Sequence, residues 1–153
     1  MQAVISSFQR ELQQRQLEKR QQMAAENLKA EAVFLLENRK QAGVVELPSG
    51  LQYKILVEGN GPQASLSDVV KLHYTSALRN GQVLDTSRQG VPVEVAVSGA
   101  IPGWSEALQL MPQGSKWQLF IPSKLAYGPN GNRQIGPNEL LIYEVEVLEV
   151  KHK

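Results

Sequence analysis

The stretch IPGWSEALQLMPQGS, residues 101–115, decides the fold class of this 153-residue chain. Within it, Trp104, Ala107 and Leu108 follow the spacing of one helix face. Pro112 then ends the helical pattern. Segments with the composition of strands lie on both sides of this short helix. That order predicts an α+β domain, in which an antiparallel sheet wraps around the helix.

The predicted strands combine β-prone residues with alternating polarity or with turn signals at their ends. They are residues 51–57, 69–78, 83–84, 93–97, 116–121 and 140–150. The clearest alternation is in the last segment, where Leu141, Tyr143 and Val145 share one face. Asn80-Gly81 is a strong signal for a two-residue hairpin turn between the second and third segments. We therefore predict a sheet of five or six strands.

The composition changes sharply near residue 42. Residues 2–41 contain no glycine and no proline, whereas all 12 glycines and 8 prolines lie further along the chain. Good helix formers dominate these first residues. We therefore predict a long helical stem over residues 1–41, about 60 Å long at about 1.5 Å per residue, with Gly43 as its stop signal. Residues 42–153 are predicted to form the second unit, the α+β domain.

The stem is too polar to be buried all round. Its apolar residues with helical spacing are Ile5, Phe8 and Leu12 near the start and Leu28, Ala32 and Leu35 near the end. The simplest interpretation is a solvated helix that lays one apolar stripe on a partner or on its own domain. The heptads break in the middle, which disfavours a sustained coiled coil. Seven cations and five anions give residues 1–40 a net charge of only +2, which disfavours a membrane-surface helix.

Composition excludes several classes of functional site. The chain has no cysteine, so disulfides, thiolate metal sites and cysteine nucleophiles are excluded. His73 and His152 are too few for a zinc site built on several imidazoles. A net charge of +1 gives no electrostatic reason to expect nucleic acid, and no apolar run approaches the roughly 20 residues of a membrane helix. We therefore expect no metal, no nucleic acid and no membrane insertion.

Beyond residue 44 the chain carries an ordered set of short motifs. They are VKLHYT at 70–75, Asn80-Gly81, LDTSR at 84–88, IPGW at 101–104, EALQLMPQG at 106–114, AYG at 126–128 and IGPNELLIY at 135–143. Each motif is weak alone, but in this order and spacing the set resembles the FKBP family of peptidyl-prolyl cis–trans isomerases. The run at 101–115, the phrase LPSGLQY at 47–53 and the long stem resemble the bacterial macrophage-infectivity-potentiator (Mip) branch.

The resemblance implies a half-barrel sheet wrapped on the helix, with the substrate proline bound in the gap between them. It implies catalytic roles for four residues. Trp104 matches the floor under the proline ring, and Asp85 matches a carboxylate near the rotating amide. The Ile101 N–H and the Tyr127 hydroxyl match donors to substrate carbonyls. The other substrate-binding residues that the resemblance implies are Tyr74, Leu84, Val93, Ala100, Ile135 and Tyr143.

Two pocket positions depart from the usual pattern of the family. The family usually has aromatic residues where this chain has Leu84 and Val93. Both changes remove ring surface from the pocket wall, and the expected consequence is weaker binding of proline and of inhibitors. The loop at 130–134 also differs in length from common members, so no contacts are assigned to it.

The same residues have simpler interpretations without the resemblance. Trp104 and Tyr143 at amphipathic positions would be core residues, and Asp85 would be a turn or hydrogen-bonding residue. Tyr127 would be a loop aromatic, and His73 a structural histidine in a strand. We assign His73 no role.

The implied activity is the rotation of X–Pro bonds in peptides and unfolded proteins, which assists protein folding. The barrier of about 18–20 kcal/mol arises from amide resonance, and no covalent bond breaks, so no nucleophile, metal or cofactor is needed. Macrolides such as rapamycin and tacrolimus are expected ligands. Two alternatives stay open: a proline-binding chaperone with little turnover, and an adaptor that joins partners through the stem.

The Mip-like resemblance also bears on localisation and assembly. It implies a bacterial periplasm or cell envelope, although cytoplasmic relatives exist. Proteins of that branch usually carry an upstream helical dimerisation segment. We expect this chain to begin after that segment, which leaves a homodimer open for the full-length protein.

Overall fold

The computed structural model describes residues 2–79, 81–86, 90–131 and 135–151, with side chains from residue 7 onward. The described residues form two α-helices, α1 (Gln2–Asn38) and α2 (Pro102–Leu110), and seven strands, β1 (Val44–Glu46), β2 (Gln52–Val57), β3 (Val69–Leu78), β4 (Val83–Thr86), β5 (Val93–Ala96), β6 (Lys116–Ile121) and β7 (Leu141–Lys151). The predicted α+β class is confirmed. No helix among these residues combines the length and the hydrophobicity needed to cross a membrane.

The strands form one antiparallel sheet in the order β1-β2-β6-β7-β3-β4, and β5 also pairs with β3. The predicted count of five or six strands is too low. Val44–Glu46 was missed because three residues are too few to show an alternating pattern. Long β3 pairs with β5 along its first half and with β4 along its second half. Those two short strands therefore border the same edge and form one side of the groove over α2.

Helix α2 packs on the sheet through the apolar face that its spacing predicts. Trp104, Ala107 and Leu108 are all buried in the same core cluster as residues of β3, β6 and β7. Gly103 allows the helix to approach closely, because a Cβ there would lie 2.5 Å from the Ile121 Cγ2 atom. The short helix is therefore fixed against the sheet along its first two turns.

Strand β7 contains a β-bulge near its end. From Leu141 to Val147 every second side chain is buried, as the alternation predicts. The pairing with β3 then shifts by one residue, which leaves Leu148 outside the ladder. Val150 is buried after the bulge. The uninterrupted alternation had placed Val150 on the opposite face from Leu141, so that part of the pattern is wrong.

The hairpin between β3 and β4 is present with a longer loop than predicted. Asn80 lies outside the described residues. The Leu78 N–H donates to the Gln82 carbonyl, and the Gly81 N–H donates to the Leu78 carbonyl, each at 2.9 Å. Gly81 has a φ of +91°, which suits the left-handed residue that closes a three-residue hairpin loop.

Helix α1 ends at Asn38, before the predicted stop at Gly43. The predicted stripe near its end does not lie on the domain, because Leu28 is 54% exposed and Ala32 is exposed; a partner for it stays a prediction. Near its start, Phe8 and Leu12 are exposed, and the Ile5 side chain lies outside the described residues. The face of α1 that contacts the α+β domain combines polar residues with Phe34, whose ring packs against that of Phe120 at a centroid distance of 6.0 Å.

That face contains Glu31, which is only 6% exposed. Its carboxylate accepts hydrogen bonds from the Ser123 N–H at 2.8 Å and from the Ser123 hydroxyl at 2.7 Å. One turn earlier, the Asn27 amide donates to the Pro137 carbonyl at 2.9 Å. Near the end of the helix, the Asn38 amide donates to the Gln52 side chain at 2.9 Å. Hydrogen bonds thus hold the second half of α1 on the domain.

Candidate active site

A cavity of about 440 Å³ opens between α2 and the concave face of the sheet. The structure brings all ten predicted site residues to its wall. The full lining is Tyr74, Ser76, Leu84, Asp85, Val93, Val95, Gly99, Ala100, Ile101, Trp104, Tyr127, Ile135 and Tyr143. Strands β3, β4, β5 and β7, the start of α2 and the loop between β6 and β7 each contribute to it. Residues far apart in sequence therefore converge on a single groove.

Trp104 lies at the base of this cavity. It sits in the first turn of α2 and is only 8% exposed. The rings of Tyr74 and Tyr143 meet the indole edge-on, with centroids 5.4 Å and 5.0 Å away. Such T-shaped contacts match the positive edge of one ring to the negative face of another. They fix the indole as a rigid apolar floor.

Asp85 faces the cavity from strand β4, so the turn interpretation is wrong. The Tyr74 hydroxyl donates to its Oδ2 atom at 2.5 Å, and the Thr86 N–H donates to its Oδ1 atom at 2.8 Å. The hydrogen bond to Asp85, and then burial, raise the pKa of Tyr74 to about 12. Tyr74 is therefore a neutral donor at physiological pH, and it holds the carboxylate in one orientation.

Tyr143 is the second tyrosine beside the indole. Its ring faces inward from β7 and is 6% exposed. Burial, followed by the nearby Tyr127 and Tyr74, raises its pKa far above the usual range. The cavity thus holds neutral phenols beside one carboxylate and is otherwise mostly apolar.

Ile101 and Tyr127 both line the cavity. Ile101 precedes α2 with an extended backbone, at φ −60° and ψ 152°. Its N–H makes none of the backbone hydrogen bonds found among the described loops, turns and caps. Tyr127 is 37% exposed, between two short 3₁₀ turns. Both groups are placed where a bound peptide could reach them.

Three lining residues were missed by the sequence reasoning. Ser76 follows Tyr74 by two positions on β3, and Val95 follows Val93 by two on β5. The period-two alternation of a strand places such pairs on the same face, and that signal could have found them. Gly99 adjoins Ala100 and has no equivalent periodic signal.

The chemistry available in the cavity follows from these groups. Among the described residues, no cluster of three or more metal-ligating side chains occurs. The cavity offers an aromatic floor, aliphatic walls at Leu84 and Val93, a fixed carboxylate and hydrogen-bond donors. Such a site suits the binding and distortion of an apolar group next to an amide.

Comparison with known proteins identifies the family. A family model described as FKBP-type peptidyl-prolyl cis-trans isomerase matches residues 61–148. A second model, described as the domain amino terminal to FKBP-type peptidyl-prolyl isomerase, matches residues 1–55. The two models together cover the stem and most of the α+β domain.

Individual relatives agree with the family models. The chain is 45% identical over 153 residues to "Outer membrane protein MIP" of Legionella longbeachae, covering 99% of this chain and 66% of the relative. It is 48% identical over 132 residues to the FKBP-type 22 kDa peptidyl-prolyl cis-trans isomerase of Escherichia coli K12, covering 85% and 62% of the two chains. It therefore spans just under two thirds of the length of these relatives.

A solved structure agrees with the fold. The crystal structure of FkpA from Escherichia coli matches with a TM-score of 0.95 and 32% identity, over 99% of this chain and 71% of that chain. The predicted resemblance is thus confirmed, and the chain belongs to the FKBP-type peptidyl-prolyl cis-trans isomerase family.

Proposed function

We propose that this chain is a peptidyl-prolyl cis–trans isomerase that assists protein folding. The observation that carries the proposal is the aromatic floor at Trp104 beside the fixed carboxylate of Asp85, within one cavity of an FKBP-family chain. The substrates are proline-containing peptides and unfolded proteins, and the reaction needs no cofactor. The stem, residues 1–41, and the domain, residues 42–153, are proposed as separate units.

Catalysis would act on the polarity of the amide. A planar X–Pro amide is stabilised by resonance, and rotation over the barrier of about 18–20 kcal/mol removes that resonance. The twisted amide is less polar, so an apolar cavity favours it relative to water. Trp104 would hold the proline ring, and Asp85 would shape the field near the rotating amide. The enzyme would accelerate rotation by binding the twisted form better than the planar one.

The two proposed donors would hold the peptide while the bond rotates. The Ile101 N–H and the Tyr127 hydroxyl would bind substrate carbonyls on either side of the proline. Tyr74, Leu84, Val93, Ala100, Ile135 and Tyr143 would form the walls. Hydrogen bonds made to carbonyls that change position during rotation can strengthen at the transition state.

The same cavity is the proposed site for macrolides such as rapamycin and tacrolimus. Leu84 and Val93 present less surface than the aromatic residues usual in the family, whose rings bury about 150–250 Å² each. A loss of about 1–2 kcal/mol corresponds to roughly tenfold weaker binding or more. We therefore propose that these ligands bind, but less tightly than to aromatic-lined members.

Localisation and assembly are proposed from the relatives and from the stem. One relative is named an outer membrane protein, and we propose a bacterial periplasm or envelope location. Phe8, Leu12 and Leu17 are exposed along α1. We propose that the full-length protein is a homodimer, which would bury part of this apolar surface.

Isomerisation of a proline tetrapeptide tests the proposed activity. Catalysis by the wild-type chain, inhibited by rapamycin, is the expected result. Asp85→Ala should lower kcat/KM about tenfold or more, because it removes the one carboxylate that the cavity holds near the amide. Asp85→Asn is the matched control for charge, since it keeps the side-chain shape. An inactive wild-type chain, or wild-type kcat/KM in Asp85→Ala with unchanged circular dichroism, would contradict the assignment.

A further inference from the structure

The loop that joins β6 to β7 touches the stem on one side and the cavity on the other. We call its described parts, residues 122–131 and 135–140, the connecting segment. Tyr127 and Ile135 of this segment line the cavity. Ser123, at its beginning, holds the Glu31 carboxylate of α1 through both its N–H and its hydroxyl. The stem thus holds the connecting segment on the side that faces away from the cavity.

Further contacts to α1 lie along the same segment. The Arg20 guanidinium donates to the Asn130 carbonyl. The Asn138 side-chain amide donates to the Ala24 carbonyl at 3.1 Å, and the Asn27 amide donates to the Pro137 carbonyl at 2.9 Å. The stem therefore contacts the beginning, the middle and the end of the segment.

Two short routes lead from these contacts to Tyr127. In the first, Glu31 binds Ser123, whose carbonyl accepts the Ala126 N–H at 3.0 Å, directly before Tyr127. In the second, Asn138 donates its own N–H to the Gly128 carbonyl at 2.9 Å, directly after Tyr127. Both neighbours of Tyr127 are therefore tied to a residue that α1 holds.

Asn138 has a φ of +54°, in the left-handed region that asparagine adopts more readily than other non-glycine residues. Its side-chain bond to α1 and its backbone bond to Gly128 are two constraints on this residue. Glu31 is constrained as well, because both of its carboxylate oxygens accept hydrogen bonds from Ser123 and its side chain is buried. The contacts define one arrangement of the segment.

We propose that Glu31 is a positioning residue for the cavity, and that it acts through Ser123 to place Tyr127 beside a bound peptide. The inference rests on the proposed isomerase function and deepens it. The stem then contributes to catalysis on small peptides without touching them. A tetrapeptide too short to reach α1 is accordingly sensitive to a change at Glu31.

Glu31→Ala tests the proposal because it removes both acceptor oxygens that Ser123 uses. Glu31→Gln is the conservative variant, since its amide oxygen can accept from the Ser123 N–H while its NH2 group donates to the Ser123 hydroxyl; it should stay close to the wild-type KM. Glu26→Ala is the matched control, since Glu26 is exposed on the same helix. We expect Glu31→Ala to raise KM for a proline tetrapeptide at least about threefold, with a smaller change in kcat, while Glu26→Ala leaves both unchanged. Ser123→Ala, which removes only the hydroxyl donor, should raise KM in the same direction by less.

A double-mutant cycle separates positioning from general destabilisation. If Glu31 acts through Tyr127, Glu31→Ala adds little to the rise in KM that Tyr127→Ala already causes. Assays run well below the unfolding midpoint of each variant keep loss of folded protein out of the comparison. An unchanged KM in Glu31→Ala, or a full additive effect in the Tyr127→Ala background, overturns the proposal.

NMR of the Tyr127 ring supplies a readout that does not need activity. Glu31→Ala should shift the Tyr127 ring resonances, and Glu26→Ala should not. An inactive wild-type chain would contradict the proposed function, while this spectrum would still decide whether Glu31 positions the segment. If the wild-type chain is active and Glu31→Ala has the same Tyr127 resonances and the same KM, the inference fails and the proposed function stands.

Discussion

The two helices of this chain contact the same domain through different kinds of side chain. Helix α2 has nine residues and buries Trp104, Ala107 and Leu108 in the core. Helix α1 has 37 residues, yet the side chain it buries most deeply is Glu31. Its apolar Leu28 and Val33 are more than half exposed, although Phe34 packs against Phe120. An apolar stripe therefore predicts the packing face of α2, whereas the stripe predicted on α1 does not mark the face that contacts the domain.

The difference shows what each kind of contact does. Apolar burial is non-directional and proportional to area, so it stabilises α2 without fixing each atom. Hydrogen bonds demand particular distances and angles, so those of α1 determine its orientation. The contact at α2 thus consists of buried apolar surface, whereas the contact at α1 includes several hydrogen bonds of defined geometry.

Leu108→Ala should give the largest effect of the variants that test this comparison. Leu108 is 1% exposed, and removing a buried leucine side chain costs about 2–5 kcal/mol of unfolding free energy. Urea unfolding followed by circular dichroism measures it. Leu110→Ala is the control, because Leu110 is 37% exposed at the end of the same helix. Similar losses in the two variants would show that α2 has no packed face.

Glu31→Ala should give the next largest effect. It leaves two buried donors of Ser123 without their acceptor, and an unsatisfied buried group costs about 1–3 kcal/mol. Leu28→Ala on the same helix should change stability by less than about 0.5 kcal/mol, since Leu28 is exposed. Unfolding curves of the two variants show which of the two side chains contributes more to the free energy of unfolding. A larger loss from Leu28→Ala would restore the apolar stripe as the docking face.

The hydrogen bond of Tyr74 in the cavity is a second polar contact that can be compared with the one at Glu31. The pKa of Tyr74 rises to about 12 in the folded protein, above the ordinary tyrosine value of 10.0. The folded state thus holds this proton more tightly, and its contribution to stability is lost as pH rises from about 10 through about 12. Phenolate absorbance should show a tyrosine that titrates near pH 12 and that Tyr74→Phe removes. Loss of a transition at pH 10 instead would contradict the hydrogen bond to Asp85.

Removal of residues 1–19 should have the smallest effect. Side chains 7–19 are exposed, and Arg20 is the first described residue of α1 with a hydrogen bond to the domain. At concentrations where both proteins are monomeric, the unfolding midpoint and tetrapeptide kcat/KM should therefore equal those of the whole chain. Removal of residues 1–41, which also takes away Glu31, should lower both. A drop in the midpoint on removing residues 1–19 would show that the early half of α1 also stabilises the domain.

The contrast between the helices explains how far the sequence could predict the structure. Trp104, Ala107 and Leu108 show their periodicity within one turn, and a hydrophobic period is a local signal. The ten site residues were carried from an ordered set of motifs, and the structure places them around one cavity. Their catalytic roles stay predictions.

Glu31 could not be found in this way. On a helix rich in charged residues, one glutamate looks like any other, and its partner Ser123 lies 92 positions away. No local pattern encodes that pairing. The short strand β1 and the bulge in β7 were missed for a related reason, since each is defined by the neighbouring strand and not by its own residues.

The bulge at Leu148 has a consequence for length variation among relatives. Loss of one residue within a strand normally turns every later side chain to the other face of the sheet. At Leu148 the opposite holds, because this residue lies outside the ladder and Val150 already faces the core beyond it. A chain that lacks Leu148 keeps the same residues inside. We expect family members to tolerate a one-residue gap at this point of β7, and to show none between Leu141 and Val147.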